Sequence, residues 1–359
     1  MTTVTEHPTA ANAEAFAERF FDAAGSALQM LSAYLGDRLG YYRALADAGP
    51  ATPDELAART GTHPRYAREW LEQQAVIGWL EVTSGDAGRR YHLADATAEV
   101  LTDDQSLLYS APLARLFGVA TQLPALLDAY RTGGGVPWSQ FGADARESEA
   151  DLNHPWYTHA LPDVLRATQS IDRVLRRPGA RIADIGCGTG SSSVALARAY
   201  PAATVDGFDI DPPSMAMARE RAHAEQVDDR VFFHTLDAAD LTGAYDAVFA
   251  FECLHDMPNP VEALAAARRA LRPGGIVVVM DAAVGDAFTA PGDFIEKFCY
   301  SISLLVCLPD AMAHQPSAAT GTVMRPDTLR SYARAAGFSD IEVLPIEDFG
   351  MWRFYRMVA

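Results

Sequence analysis

The fold of this chain is decided by Arg181–Gly190, which reads RIADIGCGTG and is followed at once by the run SSSVALAR. The pattern predicts a short apolar strand, a glycine turn and the start of a helix, an arrangement that brings bare backbone against a nucleotide-like cofactor. The glycines stand at 186, 188 and 190, whereas dinucleotide-binding proteins have the spacing G-x-G-x-x-G. No Gly-Lys-Ser or Gly-Lys-Thr follows to form a phosphate loop, and an acid, Asp184, precedes the first glycine.

Strand and helix patterns alternate from this motif to the C-terminal region. The alternation predicts βαβ units, and therefore an α/β fold with a Rossmann-like, mostly parallel sheet and an antiparallel C-terminal edge. The predicted strands cover residues 182–185, 204–208, 231–234, 247–251, 276–281, 341–345 and 352–357. Ligands of such sheets bind beyond the carboxyl ends of the strands, so the residues that follow each strand are the candidates for a site.

The glycine turn preceded by Asp184 resembles the first motif of class I S-adenosylmethionine (SAM) methyltransferases. A pyrophosphate needs an anion cradle, whereas SAM carries a cationic amino-acid end and a sulfonium, which suit nearby carboxylates. The resemblance implies S-adenosyl-L-methionine as the cofactor. It assigns Asp184, Gly186, Gly188 and Gly190 to cofactor binding.

The resemblance extends to the ends of the next three predicted strands. It assigns the ribose hydroxyls to Asp209, where two donors can meet one carboxylate, and places Ile210 beside it in the cofactor site. After the third strand it assigns the adenine amine to Asp237 and an adenine ring nitrogen to the N–H of Ala238. At the end of the fourth strand it assigns the methionine ammonium to the carbonyl of Phe251.

A second motif, LHDM at residues 254–257, resembles the Leu-His-Asp-Trp segment of small-molecule O-methyltransferases, the caffeic-acid type and its bacterial antibiotic-tailoring relatives. The resemblance implies that His255 is a general base, oriented by Asp281 at the end of the fifth strand, with Asp256 as a further catalytic candidate. Such a base is useful because a phenol, with a pKa of about 10, is a poor nucleophile at neutral pH. A second acid of the family pattern, expected near Met324, is absent.

Two other interpretations of His255 remain open. It can be a structural histidine that packs under the cofactor, or a metal ligand together with Asp256 and a second histidine such as His314. The metal interpretation is motivated by a related bacterial branch that C-methylates 2-oxo acids with a bound metal. Because an adjacent His and Asp rarely face one point, we predict no metal.

Aromatic residues flank the predicted cofactor domain and are candidates for an acceptor pocket. Trp156, Tyr157 and His159 precede the domain, and Phe298 follows the fifth strand, where the resembling family inserts helices that contact the substrate. An aromatic lining suits a planar or apolar acceptor. Ordinary core packing is the alternative for each aromatic residue.

The N-terminal part predicts helix, turn, helix and hairpin, a winged-helix pattern. Thr52 and Glu55 form a capping box at the start of one helix, and a strand is predicted from Ile77 to Val82. Residues 51–93 contain five arginines and six acidic residues, a formal charge of −1. DNA-binding domains are usually basic, so we expect this one to form a homodimer, as in the resembling methyltransferases, rather than to bind nucleic acid.

The whole chain has a net charge of −18, which also opposes binding to nucleic acid or an anionic membrane. Its four cysteines have no zinc-binding spacing, and no signal peptide or membrane span is recognised, so a cytoplasmic location is expected. We predict a winged-helix dimerisation domain at 1–105, a helical bridge at 106–175 and a SAM domain at 176–359. The predicted function is O-methylation of a small molecule in specialised metabolism; the alternatives are metal-assisted C-methylation of a 2-oxo acid and a SAM-binding transcriptional regulator.

Overall fold

The computed structural model describes residues 13–85 and 88–358. They form two compact units. One comprises the described residues up to Gly118 together with Glu147–Leu152, and the other comprises Val119–Arg146 and the described residues from Asn153 onward. All residues assigned above to the cofactor and the acceptor lie in the second unit. Within the described ranges, no helix has the combination of length and apolar sequence that crossing a membrane requires.

The first unit is mainly helical with one antiparallel hairpin. Its described elements are α1 (Ala13–Arg38), α2 (Tyr41–Ala48), α3 (Pro53–Thr60), α4 (Pro64–Val76), β1 (Glu81–Gly85), β2 (Gly88–His92), α5 (Asp95–Thr102) and α6 (Pro112–Arg115). The capping box is present, since the Thr52 hydroxyl accepts from the Glu55 N–H at 3.3 Å and Glu55 accepts from the Thr52 N–H at 2.9 Å. The helices enclose a core around Tyr41, Tyr42 and Leu71.

The prediction that a strand starts at Ile77 is wrong. β1 begins at Glu81, and the preceding residues close the end of α4. The N–H groups of Trp79 and Leu80 both donate to the carbonyl of Gln74, and Gly78 has φ +81°. This C-terminal cap keeps the apolar run 77–80 out of the hairpin because its backbone donors are already occupied.

The second unit contains a seven-stranded sheet and helices. Its strands are β3 (Arg181–Ile185), β4 (Thr204–Asp209), β5 (Val231–Thr235), β6 (Tyr245–Phe251), β7 (Leu271–Ala282), β8 (Asp340–Val343) and β9 (Trp352–Val358). Its α-helices are α7 (Leu123–Thr132), α8 (Trp138–Pro155, of which residues 147–152 belong to the first unit), α9 (Leu161–Ala167), α10 (Gln169–Leu175), α11 (Ser191–Ala199), α12 (Pro212–Ala224), α13 (Pro260–Arg269), α14 (Phe294–Ile302), α15 (Leu308–Ala313) and α16 (Pro326–Ala335). Short 3₁₀ segments occupy Leu116–Gln122, of which residues 116–118 belong to the first unit, and Ala238–Asp240. π-helical turns occupy Trp156–Ala160 and Ser303–Cys307.

The strand order is β5-β4-β3-β6-β7-β9-β8, parallel through β7 and antiparallel where β9 pairs with β7 and β8. This confirms the predicted α/β fold with a mostly parallel sheet and an antiparallel C-terminal edge. Apolar clusters cover the sheet on both faces, which explains why β6 is buried along its whole length. The chain order reverses between β3 and β6, and such a reversal creates a crevice at the carboxyl ends of the strands.

Candidate active site

The glycine turn between β3 and α11 has a left-handed backbone at each of its three glycines. The φ angles are +65° at Gly186, +51° at Gly188 and +78° at Gly190. A Cβ at Gly186 would lie 2.5 Å from Cβ of Cys253, and one at Gly190 would lie 2.6 Å from the ring of Phe233, whereas one at Gly188 would meet nothing within 4 Å. Gly186 and Gly190 are therefore required both by conformation and by close packing, and Gly188 by conformation alone.

 Asp184 is the penultimate residue of β3 and is completely buried beneath the glycine turn. Its Oδ2 accepts hydrogen bonds from the hydroxyls of Ser192 at 2.7 Å and Ser193 at 2.6 Å. Oδ1 accepts no hydrogen bond from any described residue. Burial raises the pKa of Asp184 to about 6, against the two serine hydrogen bonds, which lower it. The turn thus covers a carboxylate with one oxygen left for a further partner.

Asp209, the last residue of β4, lies against the same turn. Its Oδ2 accepts the N–H of Gly188 at 2.9 Å, and its Oδ1 accepts the N–H of Asp211 at 2.9 Å. Burial raises the pKa of this carboxyl, and the two backbone donors oppose the rise. The neighbouring Ile210 is 54% exposed. The structure therefore brings Asp209 to the glycine turn and leaves the side chain of Ile210 accessible.

Asp237 and Ala238 follow β5, the next strand of the sheet. Asp237 caps the 3₁₀ segment that begins at Ala238, and its Oδ1 accepts the N–H of Ala239 at 2.9 Å. The N–H of Leu236 donates to the carbonyl of Asp209 at 3.0 Å, which ties the ends of β4 and β5 together. The Asp237 side chain is exposed and Ala238 is buried, so one presents a carboxylate and the other backbone.

Phe251 ends β6 on the other side of β3, and it is buried. The next residue, Glu252, has φ +53°, a left-handed conformation that is unusual for a residue with a side chain. Its Oε2 accepts a hydrogen bond from Nδ2 of Asn153 at 2.9 Å. The sequence interpretation missed this strained residue and its partner, because no local pattern marks a positive φ at a glutamate.

His255 lies just beyond β6, and Asp281 lies on the neighbouring strand β7. Nδ1 of His255 is 2.9 Å from Oδ1 and 3.0 Å from Oδ2 of Asp281, and the two side chains are 3% and 1% exposed. Nε2 is 3.3 Å from Oδ1 of Asp256. Burial lowers the pKa of His255, but the carboxylates of Asp256 and Asp281 outweigh it and hold that pKa well above its usual value.

Cys307 completes this group, and the sequence interpretation missed it. Among the described residues, His255, Asp256 and Cys307 form one group whose ligand atoms all lie within 4.8 Å of one another. Cys307 ends the π-helical turn between α14 and α15, and burial raises its pKa to about 12. His314, named as a candidate third ligand, instead has its Nε2 3.7 Å from Oδ1 of Asp310. Only tertiary folding brings the thiol here, because Cys307 is distant in sequence from the LHDM motif.

The four pocket candidates are placed in different surroundings. The ring of Trp156 packs against Phe349 at 5.3 Å, which is core packing with the C-terminal segment. The ring of Tyr157 lies 5.8 Å from that of Phe251, so this residue is next to the end of β6. His159 is exposed, and Phe298 is half-buried on α14. Their role in binding an acceptor stays a prediction.

Asp310 is a further acid that the sequence interpretation did not select. Its Oδ1 accepts the N–H of Trp138 at 2.7 Å. Burial raises its pKa to about 7, and the negative charges of Asp256, Asp209 and Asp211 add to the rise. α15 therefore places a carboxyl in the field of Asp209 and Asp211 near the glycine turn and of Asp256 beside His255.

Comparison with known proteins agrees with both parts of this architecture. Residues 182–275 match the family model described as a methyltransferase domain, and residues 26–103 match the Rv2258c-like winged HTH domain. The chain is 38% identical over 139 residues to 27-O-demethylrifamycin SV methyltransferase of Amycolatopsis mediterranei, covering 36% of this chain and 51% of that protein. It is 39% identical over 122 residues to a ubiquinone biosynthesis O-methyltransferase of Xanthomonas campestris pv. campestris, covering 33% and 48%.

The matches to these curated relatives span about half of the relatives' length. Solved structures resemble nearly the whole chain. Mitomycin 7-O-methyltransferase MmcR has a TM-score of 0.73 at 20% identity, covering 96% of this chain and 98% of its own. Human N-acetylserotonin methyltransferase, solved with SAM, has a TM-score of 0.69 at 18% identity, covering 100% and 99%. The chain therefore carries a methyltransferase domain and a winged helix-turn-helix domain, and it has the fold of these methyltransferases.

Proposed function

We propose that this protein transfers the methyl group of SAM to an oxygen atom of a small-molecule acceptor in specialised metabolism. The observation that carries the proposal is the pair His255–Asp281, held 2.9 Å apart where the neighbouring strands β6 and β7 end. The relatives named above support the same activity, because their names describe methylation of small molecules. The proposal joins a cofactor end and an acceptor end within one unit of the chain.

The residues at the cofactor end fit SAM. Oδ1 of Asp184 is buried without a hydrogen-bond donor among the described residues, and a carboxylate in that state favours a cationic partner. Asp209 would bind the ribose hydroxyls, and Asp237 with the N–H of Ala238 would bind the adenine edge. The carbonyl of Phe251 would accept from the methionine ammonium. When bound, SAM supplies an electrophilic methyl group on its sulfonium.

At the acceptor end, the proposed role of His255 is to take the proton of the acceptor hydroxyl. Asp281 holds Nδ1 at 2.9 Å, which fixes the ring and leaves Nε2 as the nitrogen that would meet the acceptor. Asp256 lies 3.3 Å from Nε2 and competes for that nitrogen in the free protein. Binding of an acceptor between Nε2 and Asp256 would therefore be part of activating the base.

The direct test combines calorimetric SAM binding with a turnover assay, in which purified protein receives methyl-labelled SAM and a panel of phenolic and other hydroxylated acceptors. We expect SAM binding and product labelled on oxygen. The Asp209→Asn variant should bind SAM more weakly by about tenfold, because one charge-assisted partner is lost. A matched Asp240→Asn variant, changed at an exposed acid near the same strand ends, should bind as the wild type does. Undetectable SAM binding by the folded wild type would contradict the proposal.

We also propose that a second copy of this chain is the partner of the first unit. α1 has an exposed apolar row, in which Phe20 is 70% and Phe21 79% exposed, and Leu28 and Leu35 continue it. Contiguous apolar residues of this kind mark interaction surfaces. The charge of −1 over residues 51–93 gives less support to DNA as the partner.

Sedimentation of the wild type and of Leu28→Glu tests the dimer. We expect a dimer for the wild type and a monomer for the variant. A Tyr66→Glu variant introduces the same charge at another exposed apolar residue, on α4, and should stay dimeric. A monomeric wild type, or salt-sensitive binding of duplex DNA at the winged helix, would contradict this part of the proposal.

A further inference from the structure

We propose that His255, Asp256 and Cys307 form a binding site for a divalent transition-metal ion of the zinc and iron class. The donors are Nε2 of the imidazole, a carboxylate oxygen and the thiolate sulfur. The inference rests on the proposed function, because it places the ion at the acceptor end of the methyl-transfer site. It changes one part of that function: Nε2 cannot accept a proton while it binds a metal.

The geometry of the three donors carries the proposal. Their ligand atoms lie within 4.8 Å of one another, which a metal can gather to bond lengths of about 2.0–2.3 Å by small rotations of the side chains. The donors come from two separate elements, the loop after β6 and the π-helical turn Ser303–Cys307. Single π-helical turns inside helical runs occur frequently at functional sites, and this one ends with the thiol.

The surroundings of His255 are those of a metal-binding histidine. Asp281 holds Nδ1 at 2.9 and 3.0 Å, and a carboxylate on the far nitrogen is the usual outer partner of a histidine ligand. This contact fixes the ring so that Nε2 points to Asp256. Oδ1 of Asp256 is buried and forms no hydrogen bond with a described residue, and its contact with Nε2 at 3.3 Å is an ion pair, so this oxygen is available as a ligand.

The donor set also selects the kind of ion. One imidazole, one carboxylate and one thiolate favour Zn²⁺, Fe²⁺ or Co²⁺ over Mg²⁺ and Ca²⁺, which prefer oxygen ligands. Three protein ligands leave at least one coordination position open, as in catalytic rather than structural zinc sites. The Asp256 side chain is 35% exposed, so this face of the group can be reached. An acceptor with an ionisable hydroxyl or enol oxygen is the class of molecule suited to that open position.

The test uses the full-length protein without an affinity tag, after chelator treatment and titration with Co²⁺. We expect one equivalent of Co²⁺ to bind and to give a thiolate-to-metal charge-transfer band. Cys307→Ser should lose the band and bind Co²⁺ at least about tenfold more weakly. Cys299→Ser is the matched control, because Cys299 is a buried thiol on the adjoining helix α14 that does not belong to the group. It should keep both the band and the affinity.

The metal inference is overturned if the wild type binds no stoichiometric Co²⁺, or if the band persists in Cys307→Ser. X-ray absorption of the wild-type Co²⁺ complex tests it without any variant: a first shell lacking sulfur overturns the inference even where Cys307→Ser does not fold. Calorimetric SAM binding to the same metal-free sample separates the two proposals. SAM binding by a protein that binds no Co²⁺ removes only the metal inference, whereas failure to bind SAM removes the proposed function.

Discussion

The two ends of the candidate site are built in opposite ways. At the cofactor end, the turn Gly186–Gly190 presents backbone, and the strand-end acid Asp209 is held by the backbone N–H of Gly188. At the acceptor end, His255 is held by the side chain of Asp281 and faces those of Asp256 and Cys307. The first end depends on backbone dihedral angles, and the second on side chains that meet from separate elements.

This difference teaches where each end can be damaged. Backbone at a glycine turn tolerates no added Cβ where the neighbours are close, but it is insensitive to the chemistry of those neighbours. A side-chain cluster tolerates small packing changes, but it loses its chemistry with the loss of a single nitrogen or carboxylate. Substitutions at the two ends should therefore separate cofactor binding from turnover.

The largest expected effect is at the acceptor end. His255→Ala should reduce kcat by about 10²–10⁴-fold, the usual contribution of a positioned acid–base group, and should change SAM affinity by less than about twofold. Single-turnover kinetics and calorimetry measure the two quantities. His223→Ala, at an exposed histidine paired with Asp228, is the control and should keep kcat. A His255→Ala variant with full turnover would remove the base role of this residue.

The next effect is at the glycine turn. Gly186→Ala should lower the free energy of unfolding by about 2–5 kcal/mol, since it adds left-handed strain to an overlap with Cys253. Gly188→Ala adds strain without overlap and should cost about 1–2 kcal/mol. Urea unfolding of the two variants measures the difference. Equal losses in the two variants would show that close packing at residue 186 does not matter, contrary to the comparison of the two ends.

A smaller effect is expected from pH. The pKa of Asp184 is raised to about 6, so this carboxyl is negative above pH 6 and neutral below it. The protein should therefore bind the cationic amino-acid end of SAM with constant affinity above pH 7, and between pH 7 and pH 5 the affinity for SAM should fall by about tenfold. Calorimetry across this range checks the prediction. Asp184→Asn should remove this pH dependence of SAM affinity. If the variant keeps the same pH dependence, another titrating group is responsible for it.

The smallest effect is expected at Asp237, because its carboxylate is exposed. Asp237→Ala should weaken SAM binding by about 2–10-fold, the value of one hydrogen bond. Asp240→Ala changes an exposed acid of the same 3₁₀ segment and should leave the affinity unchanged. Calorimetry at one pH compares the two variants. Equal affinities in both would separate Asp237 from the adenine site.

The sheet was largely predictable because its signals are local. Buried strands such as β3 and β6 are continuous apolar runs, and the glycine turn between β3 and α11 has a characteristic spacing. The prediction failed at Ile77–Leu80, an apolar run that closes helix α4 through hydrogen bonds to Gln74 and does not enter the hairpin. Local pattern cannot distinguish these outcomes, because an apolar run suits both a strand and a buried helix end.

The sequence by itself determined the cofactor end of this protein. The glycines 186, 188 and 190 and the acids that follow successive strands are read one segment at a time, and parallel strands must bring their carboxyl ends to one edge of the sheet. Only the tertiary structure decided the acceptor end. Cys307 reaches His255 because a π-helical turn after α14 places it there, and the packing of separate elements sets such a contact, which no spacing along the chain encodes.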